Sequence, residues 1–222
     1  MFDITLYGHL TNDHIFDGDS ESMSLGGIAN CWRALTELDN NLTIGMSPSA
    51  LGEANIYVER KQLKRNSIAE MNKETFDIVI RPAKISHVLY LNELHDTSFI
   101  EKLEGVTSAD LCKGEEVKYE LLKHFDYIFV ADDEEHDIEK IRWYSNMVIL
   151  HSSEGSVISV GEVINPPYIV HKMHRVENAN VLGAGDMFAS CFLYAIHNKW
   201  SLDGAREFAH IKTAELIRKY NV

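Results

Sequence analysis

The sequence predicts an α/β fold with a mainly parallel central sheet. First, residues 88–91, 127–130 and 147–150 are short, nearly continuous apolar runs of the kind that fill a strand buried on both faces. Second, a helical stretch at 137–144 separates the last two runs, giving the strand, helix, strand spacing of a parallel crossover. Third, the 222 residues suffice for one sizeable core, so a single domain over 1–222 is expected. A sheet of this kind places its ligands at the carboxyl ends of its strands.

The elements follow in order. Residues 2–7 alternate apolar and polar side chains until Gly8, which predicts a strand running into a loop that holds Asn12 and Asp13. The acidic, serine-containing stretch 16–24 leads to Gly26-Gly27, after which Ile28, Cys31, Trp32, Leu35 and Leu38 recur at helical spacing. A glycine pair at a helix start lets a ligand approach the backbone, and Asn30 in the first turn offers a donor and an acceptor. The same residues also read as an ordinary helix start with a polar surface residue. Residues 42–46 form a short strand candidate and 47–49 a turn. The charge run 59–65 reads as a solvated helix or an exposed ribbon. Residues 76–80 are a further strand candidate, and 98–103 could supply the helix after 88–91. Beyond Leu150, a turn at 151–155 leads to alternating residues at 156–160, an antiparallel partner, and Pro166-Pro167 marks an extended linker. Two helices close the chain, one beginning near Asp186 and one with Ser201 as N-cap. Trp32 and Trp143 stand at apolar helical positions and read as core.

An apolar fraction of 45% with 25% charged residues is that of an ordinary globular protein. The formal net charge of −13 argues against partners such as nucleic acid or an anionic membrane. No run approaches the length of a membrane span, and the first residues lack the charged-then-apolar order of a secretory signal, so a cytoplasmic location is expected. Cys31, Cys112 and Cys191 read as buried thiols, without a disulfide or zinc role. His9, His14, His171 and His174 have no further ligands at a recognisable spacing and read as surface or supporting histidines.

Chemistry concentrates in Gly183-Ala184-Gly185-Asp186, which is followed by an apolar run. Glycines let backbone N–H groups converge, and the following helix adds positive potential, so an anion could sit there. Asp186 at its edge could take a proton from a hydroxyl that attacks a phosphoryl group. The other reading is a glycine turn into a helix, with Asp186 complementing the helix dipole.

The order of these motifs, spanning nearly the whole chain, resembles the ribokinase-like (PfkB-type) carbohydrate kinases. Gly8 and Asp13 look like that family's first substrate loop. Gly26-Gly27 with Asn30 is similar to its Gly-Gly-x-x-x-Asn helix start, and Gly183-Ala184-Gly185-Asp186 matches its C-terminal signature. The resemblance implies a three-layer sandwich with a small or reduced β lid, its remnant at 54–72. It implies phosphoryl transfer from ATP, with Mg2+, to a hydroxyl of a sugar or sugar-like small molecule. Asp13, Gly26, Gly27 and Asn30 would hold the acceptor, and Asp186 would be the general base. Amides around Gly183, Ala184 and Gly185 would stabilise the transferring charge. Ser152, Gly155 and Asn180 would face the nucleotide, and Asp132 and Glu135 would support the metal through water. A homodimer is a further expectation, since relatives often dimerise through lid strands.

Three stretches depart from the family pattern. Asp132-Asp133-Glu134-Glu135 stands for Asn-x-x-Glu and can also read as a solvated acidic loop. Leu150-His151-Ser152 stands for Thr-x-Gly, and Asn180-Val181-Leu182 stands for Asp-x-Thr. These departures leave open a catalytically silent sugar- or nucleotide-binding sensor of the same fold.

Overall fold

The computed structural model describes residues 1–62, 64–112 and 116–220. In chain order the elements are β1 (Phe2–Asp17), β2 (Ser20–Gly27), α1 (Ile28–Leu38), β3 (Ile44–Glu59), β4 (Lys64–Thr75), β5 (Ala83–Val88), β6 (Val106–Asp110), α2 (Tyr119–Leu122), β7 (Tyr127–Ala131), α3 (Ile138–Tyr144), β8 (Val148–His151), β9 (Gly155–Val160), β10 (Val163–Ile164), β11 (Tyr168–Ile169), α4 (Ala184–His197) and α5 (Leu202–Tyr220). The chain forms two compact units. The first comprises Met1–Gly8, Leu42–Ser47 and Ile78–Val170, and the second His9–Asn41, Pro48–Asp77 and His171–Val222.

The first unit contains the mainly parallel sheet that the apolar runs call for. The first residues of β1 pair with β5, β5 with β6, β6 with β7, and β7 with β8, all in parallel register. β9 turns back antiparallel on β8, and β10 and β11 pair antiparallel with β9. Tyr7, Val88, Leu111, Phe125, Ile128, Val130, Ile141 and Val148 form one buried cluster, each large apolar side chain contributing about 1.5–3 kcal/mol relative to exposure. Asp137 caps α3 by accepting from Lys140 N–H at 3.0 Å.

Several expected boundaries move in this unit, each for a local reason. Residues 76–80 are not a strand, because side chains satisfy the neighbouring backbone. Val79 N–H donates to Ser47 Oγ at 2.9 Å, Arg81 N–H donates to Tyr7 Oη at 3.1 Å, and Pro82 has no N–H. The run at 88–91 ends its strand at Val88, with Tyr90 in a left-handed conformation before a 3₁₀ turn at Leu91–Glu93. The helix expected at 98–103 is only a 3₁₀ turn, Ile100–Lys102. β6 escapes the apolar pattern because its buried polar side chains have partners: Thr107 Oγ1 donates to His124 O at 2.8 Å, and Ser108 Oγ lies 2.9 Å from His87 Nδ1.

In the second unit β1 does not stop at Gly8. It continues through Asn12 and Asp13 and folds onto β2 as an antiparallel hairpin, with Thr11 opposite Gly26 and Asp13 opposite Ser24. The loop expected at Asn12 and Asp13 is therefore strand. Residues 47–49 likewise lie inside β3 and are not a turn. β3 pairs antiparallel with β4, Ala54 opposite Ala69 and Glu59 opposite Lys64. The segment 54–72 lies on this hairpin, and Leu63 within it lies outside the described residues. α4 packs against both α1 and α5. It is buried on nearly every side from Asp186 to Leu193, and Ser201 caps α5 by accepting from Gly204 N–H at 3.1 Å.

The two tryptophans are not core. α1 buries Ile28, Ala29, Asn30, Cys31, Ala34 and Leu35, which leaves Trp32 43% exposed, and α3 buries only Ile141, which leaves Trp143 80% exposed. Among the described residues no helix is long and apolar enough to cross a membrane.

Candidate active site

Two glycine-started helices of the second unit build the site. Gly27 is the residue before α1 and has φ 60°, and a Cβ there would run into the backbone carbonyl of His9. Gly183 is the residue before α4 and has φ 73°, and a Cβ there would lie 3.1 Å from the Asn30 amide. The side chains of the two first turns therefore meet. Asn30 Nδ2 donates to Asp186 Oδ2 at 2.9 Å, and both residues are buried. Two more bonds tie the helices behind this pair: Cys31 Sγ donates to Asp186 O at 3.4 Å, and Ser190 Oγ to Cys31 O at 3.5 Å.

The β1–β2 hairpin adds a second carboxylate. Asp13 is 3% exposed, and its Oδ1 accepts from Thr11 Oγ1 at 2.6 Å. Gly26 lies against this pair so closely that a Cβ would stand 2.5 Å from Thr11 Oγ1 and would overlap the Asp13 carboxylate. Asp13, Gly26, Gly27, Asn30, Asn180, Gly183, Ala184, Gly185 and Asp186 all belong to this unit.

A helix start leaves its first N–H groups without intrahelical partners, which is what gives α4 its capacity for an anion. The turn before α4 spends part of that capacity. Ala184 N–H donates to Val181 O at 3.0 Å, whereas the Met187 N–H to Gly183 O bond at 2.9 Å is the helix's own first bond. Asn180 uses its Oδ1 to accept from Leu182 N–H at 2.9 Å, which shapes the same turn.

An open cavity of about 250 Å³ lies beside Asn30. Ile15, Ser22, Met23 and Ser24 line it from the hairpin, Asn30 and Arg33 from α1, Asn180, Leu182 and Met187 around the start of α4, and Ile217 and Tyr220 from α5. It is smaller than the roughly 300 Å³ at which drug-sized pockets begin, so it suits a small molecule. Sequence patterns did not single out Thr11, Ser22, Ser24 or Arg33, and gave Tyr220 only as an apolar position of the last helix. Their only signal is spatial, since α5 reaches the hairpin and α1 from the far end of the chain.

The other anticipated residues belong to the first unit. Asp132 and Glu135 follow β7 and are exposed. Partial burial, and then the charges of Asp133 and Glu154, push the Asp132 carboxyl above its ordinary value. Glu134, in the same turn, is the one folded inward, with Oε2 at 3.4 Å from His136 Nε2. Ser152 closes a tight turn: its N–H donates to Gly155 O at 2.8 Å, and its Oγ accepts from Glu154 N–H at 3.1 Å. Gly155 packs so closely on β11 that a Cβ would overlap the Tyr168 carbonyl. Among the described residues no group of three or more His, Cys, Asp or Glu side chains is arranged to hold a metal ion.

No protein-family model matches the sequence, and no curated protein matches it. Solved structures do. Ribokinase from Thermotoga maritima superposes with a TM-score of 0.72 at 14% identity, over 99% of this chain and 100% of that one. Adenosine kinase from Sinorhizobium meliloti gives 0.68 at 13% identity, over 98% and 94%. A pyrophosphate-dependent kinase in the ribokinase family, in a sulfate complex, gives 0.70 at 16% identity, over 97% and 95%. These likenesses show that the fold is ribokinase-like.

Proposed function

We propose that the protein transfers a phosphoryl group from ATP to a hydroxyl of a sugar or sugar-like small molecule. One observation carries this: the buried Asn30–Asp186 hydrogen bond at the meeting of two glycine-started helices, beside a cavity of small-molecule size. The kinase names of the structural neighbours support the same reading.

In this mechanism Asp13 and Asn30 orient the acceptor, and Gly26 and Gly27 let it approach the backbone. Asp186 accepts the hydroxyl proton as the oxygen attacks the terminal phosphorus. The bond from that phosphorus to the departing diphosphate breaks in the same transfer. N–H groups at the start of α4, those of Gly183 and Gly185 on either side of Ala184, whose own N–H holds the turn, stabilise the moving charge, a reaction in which positioning and electrostatics supply most of the catalysis. Asn30 fixes the orientation of the Asp186 carboxylate through its 2.9 Å bond. Ser152, Gly155 and Asn180 would face the nucleotide. Asp132 and Glu135 offer the hard oxygen donors that Mg2+ prefers, and the mutual repulsion around Asp132 fits a site that a cation would relieve. That ion would neutralise charge on the nucleotide phosphates. The β3–β4 hairpin would serve as the reduced lid, and it is the surface for a homodimer.

A second reading has its own observation. The Ser152 hydroxyl and the Asn180 Oδ1 accept bonds within their own turns, as a structural replacement of nucleotide contacts would require. On that reading the protein is a sugar- or nucleotide-binding sensor without turnover. A panel of sugars, sugar derivatives and nucleosides, assayed with Mg–ATP and with pyrophosphate for phosphorylated product, separates the two. Turnover that disappears in Asp186→Asn supports the kinase, whereas saturable binding with no product from any donor supports the sensor.

A further inference from the structure

Arg33 lies three residues after Asn30 on α1, so the two side chains share one helix face about 4.5 Å apart along the axis. Both line the cavity. The guanidinium Nη2 donates to Ser24 Oγ at 3.0 Å and to the Leu25 carbonyl at 3.5 Å, and the group stands 5.7 Å from the Tyr220 ring centroid. Among the described residues it makes no ion pair. Both bonds leave Nη2, so Nε and Nη1 have donors to offer. Burial, and then the nearby charge of Glu37, push the Tyr220 phenol up, so it stays neutral. Among the described residues no carboxylate lines the cavity. The described residues of a chain of net charge −13 therefore present a single full charge to this space, and it is positive.

We propose that the acceptor molecule carries an anionic substituent, a phosphate or a carboxylate, seated on Arg33 with the Ser22 and Ser24 hydroxyls, while its reacting hydroxyl points toward Asn30 and Asp186. The orientation follows from charge: the Asp186 carboxylate repels the anion and Arg33 attracts it. A guanidinium suits both oxyanions, because its fork matches their geometry. This assignment rests on the kinase reading for the direction of the reacting hydroxyl, but the affinity for the anion can be read without turnover.

Calorimetry on the full chain tests it, comparing ribose with ribose 5-phosphate and glucose with glucose 6-phosphate and gluconate. The anionic member of a pair is expected to bind about tenfold or more tightly than the neutral one, as for a hydrogen bond to a charged group. The preference should weaken as salt is raised and collapse toward a ratio of one in Arg33→Gln, while Arg33→Lys restores part of it. The phosphate and carboxylate arms tell which anion the site takes. Equal affinity within every pair overturns the proposal, as does the absence of any binding by an anionic member. A preference that persists undiminished in Arg33→Gln also overturns it, and shows that Arg33 only braces α1 against β2 and α5. Turnover is followed separately. Phosphorylation of neutral acceptors without an anion preference sinks the anion site and leaves the kinase, whereas an anion preference with no product leaves the site and sinks the kinase.

Discussion

Asn30 donates to Asp186 across 156 positions of sequence, at 2.9 Å and out of water. A buried amide that holds one oxygen of a buried carboxylate does two things: it pays part of the desolvation cost of the charge, and it fixes where the other oxygen can point. Both functions depend on Gly183, because a Cβ there would press on the same amide at 3.1 Å.

Replacing the carboxylate therefore separates chemistry from folding. Asp186→Asn should lower kcat by roughly 10²–10⁴, the range for loss of a positioned general base, with little change in acceptor affinity. Asn30→Ala removes a hydrogen bond to a charged group and should cost about 1–3 kcal/mol in stability. Asn30→Asp places two carboxylates together, so one keeps its proton in the folded state. Its folded pKa is then above the unfolded value, and the penalty grows as pH rises. Urea midpoints of Asn30→Asp relative to the parent should fall from pH 5 to pH 8. A constant difference would show that the two groups do not share the site.

The adjacent glycines should fail in different ways. A Cβ on Gly27 meets the His9 backbone carbonyl at a φ of 60°, and neither obstacle can rotate away, so Gly27→Ala should lose more than about 1 kcal/mol of stability. A Cβ on Gly26 meets the ends of the Thr11 and Asp13 side chains, which can move. Gly26→Ala should therefore fold, at the expense of the Asp13 position and of acceptor binding. Its stability loss should be smaller in an Asp13→Ala background. Thermal melts of the parent, the two single variants and the double variant measure this coupling, and strict additivity would contradict it.

How much of this was legible in sequence follows from what each residue is for. Gly26, Gly27, Asn30, Gly183 and Asp186 were visible because backbone shape and proton chemistry restrict residue type at close spacing. The parallel strands β7 and β8 were visible as apolar runs. β6 was hidden because Thr107 and Ser108 bury hydroxyls that find partners 17 and 21 positions away. The continuation of β1 past Gly8 was hidden because its partner, β2, is an acidic, serine-rich stretch that reads as loop. Arg33 and Tyr220 were hidden because the cavity they share comes from the packing of α5, which periodicity cannot report.

The cysteines test the cores of both units. Cys31 and Cys191 are fully buried, and burial pushes the Cys191 thiol up to about 12. Cys112 donates to Glu93 Oε1 at 3.2 Å, and burial, then the charges of Glu93 and Asp110, push its thiol up as well. A thiol reagent at pH 8 should find no fast-reacting group in the native protein and three after denaturation. A single rapid equivalent in the native state would mean that one core opens.

Acid stability should be governed first by two histidines of the parallel sheet. His87 is fully buried between Ser108, at 2.9 Å from its Nδ1, and the edge of Phe129, and burial lowers its pKa to about 4. Burial lowers His151 to about 4 as well. Both are neutral in the folded protein at pH 5, while an unfolded histidine near 6.5 is protonated, so the unfolded state binds more protons and stability rises with pH. The loss on acidification begins below pH 6.5, continues to about pH 4, and amounts to roughly 2 kcal/mol for each histidine by pH 5. Carboxylates act in a lower window. Asp3, held well below the usual carboxylate range first by its bond from Lys84 and then by Thr43, contributes stability that is lost only as pH falls through its folded pKa. Urea unfolding between pH 7 and pH 5 should thus show uptake of about two protons, and His87→Leu should remove about one of them. An unchanged slope in His87→Leu would mean that this imidazole is already protonated or solvated in the native state.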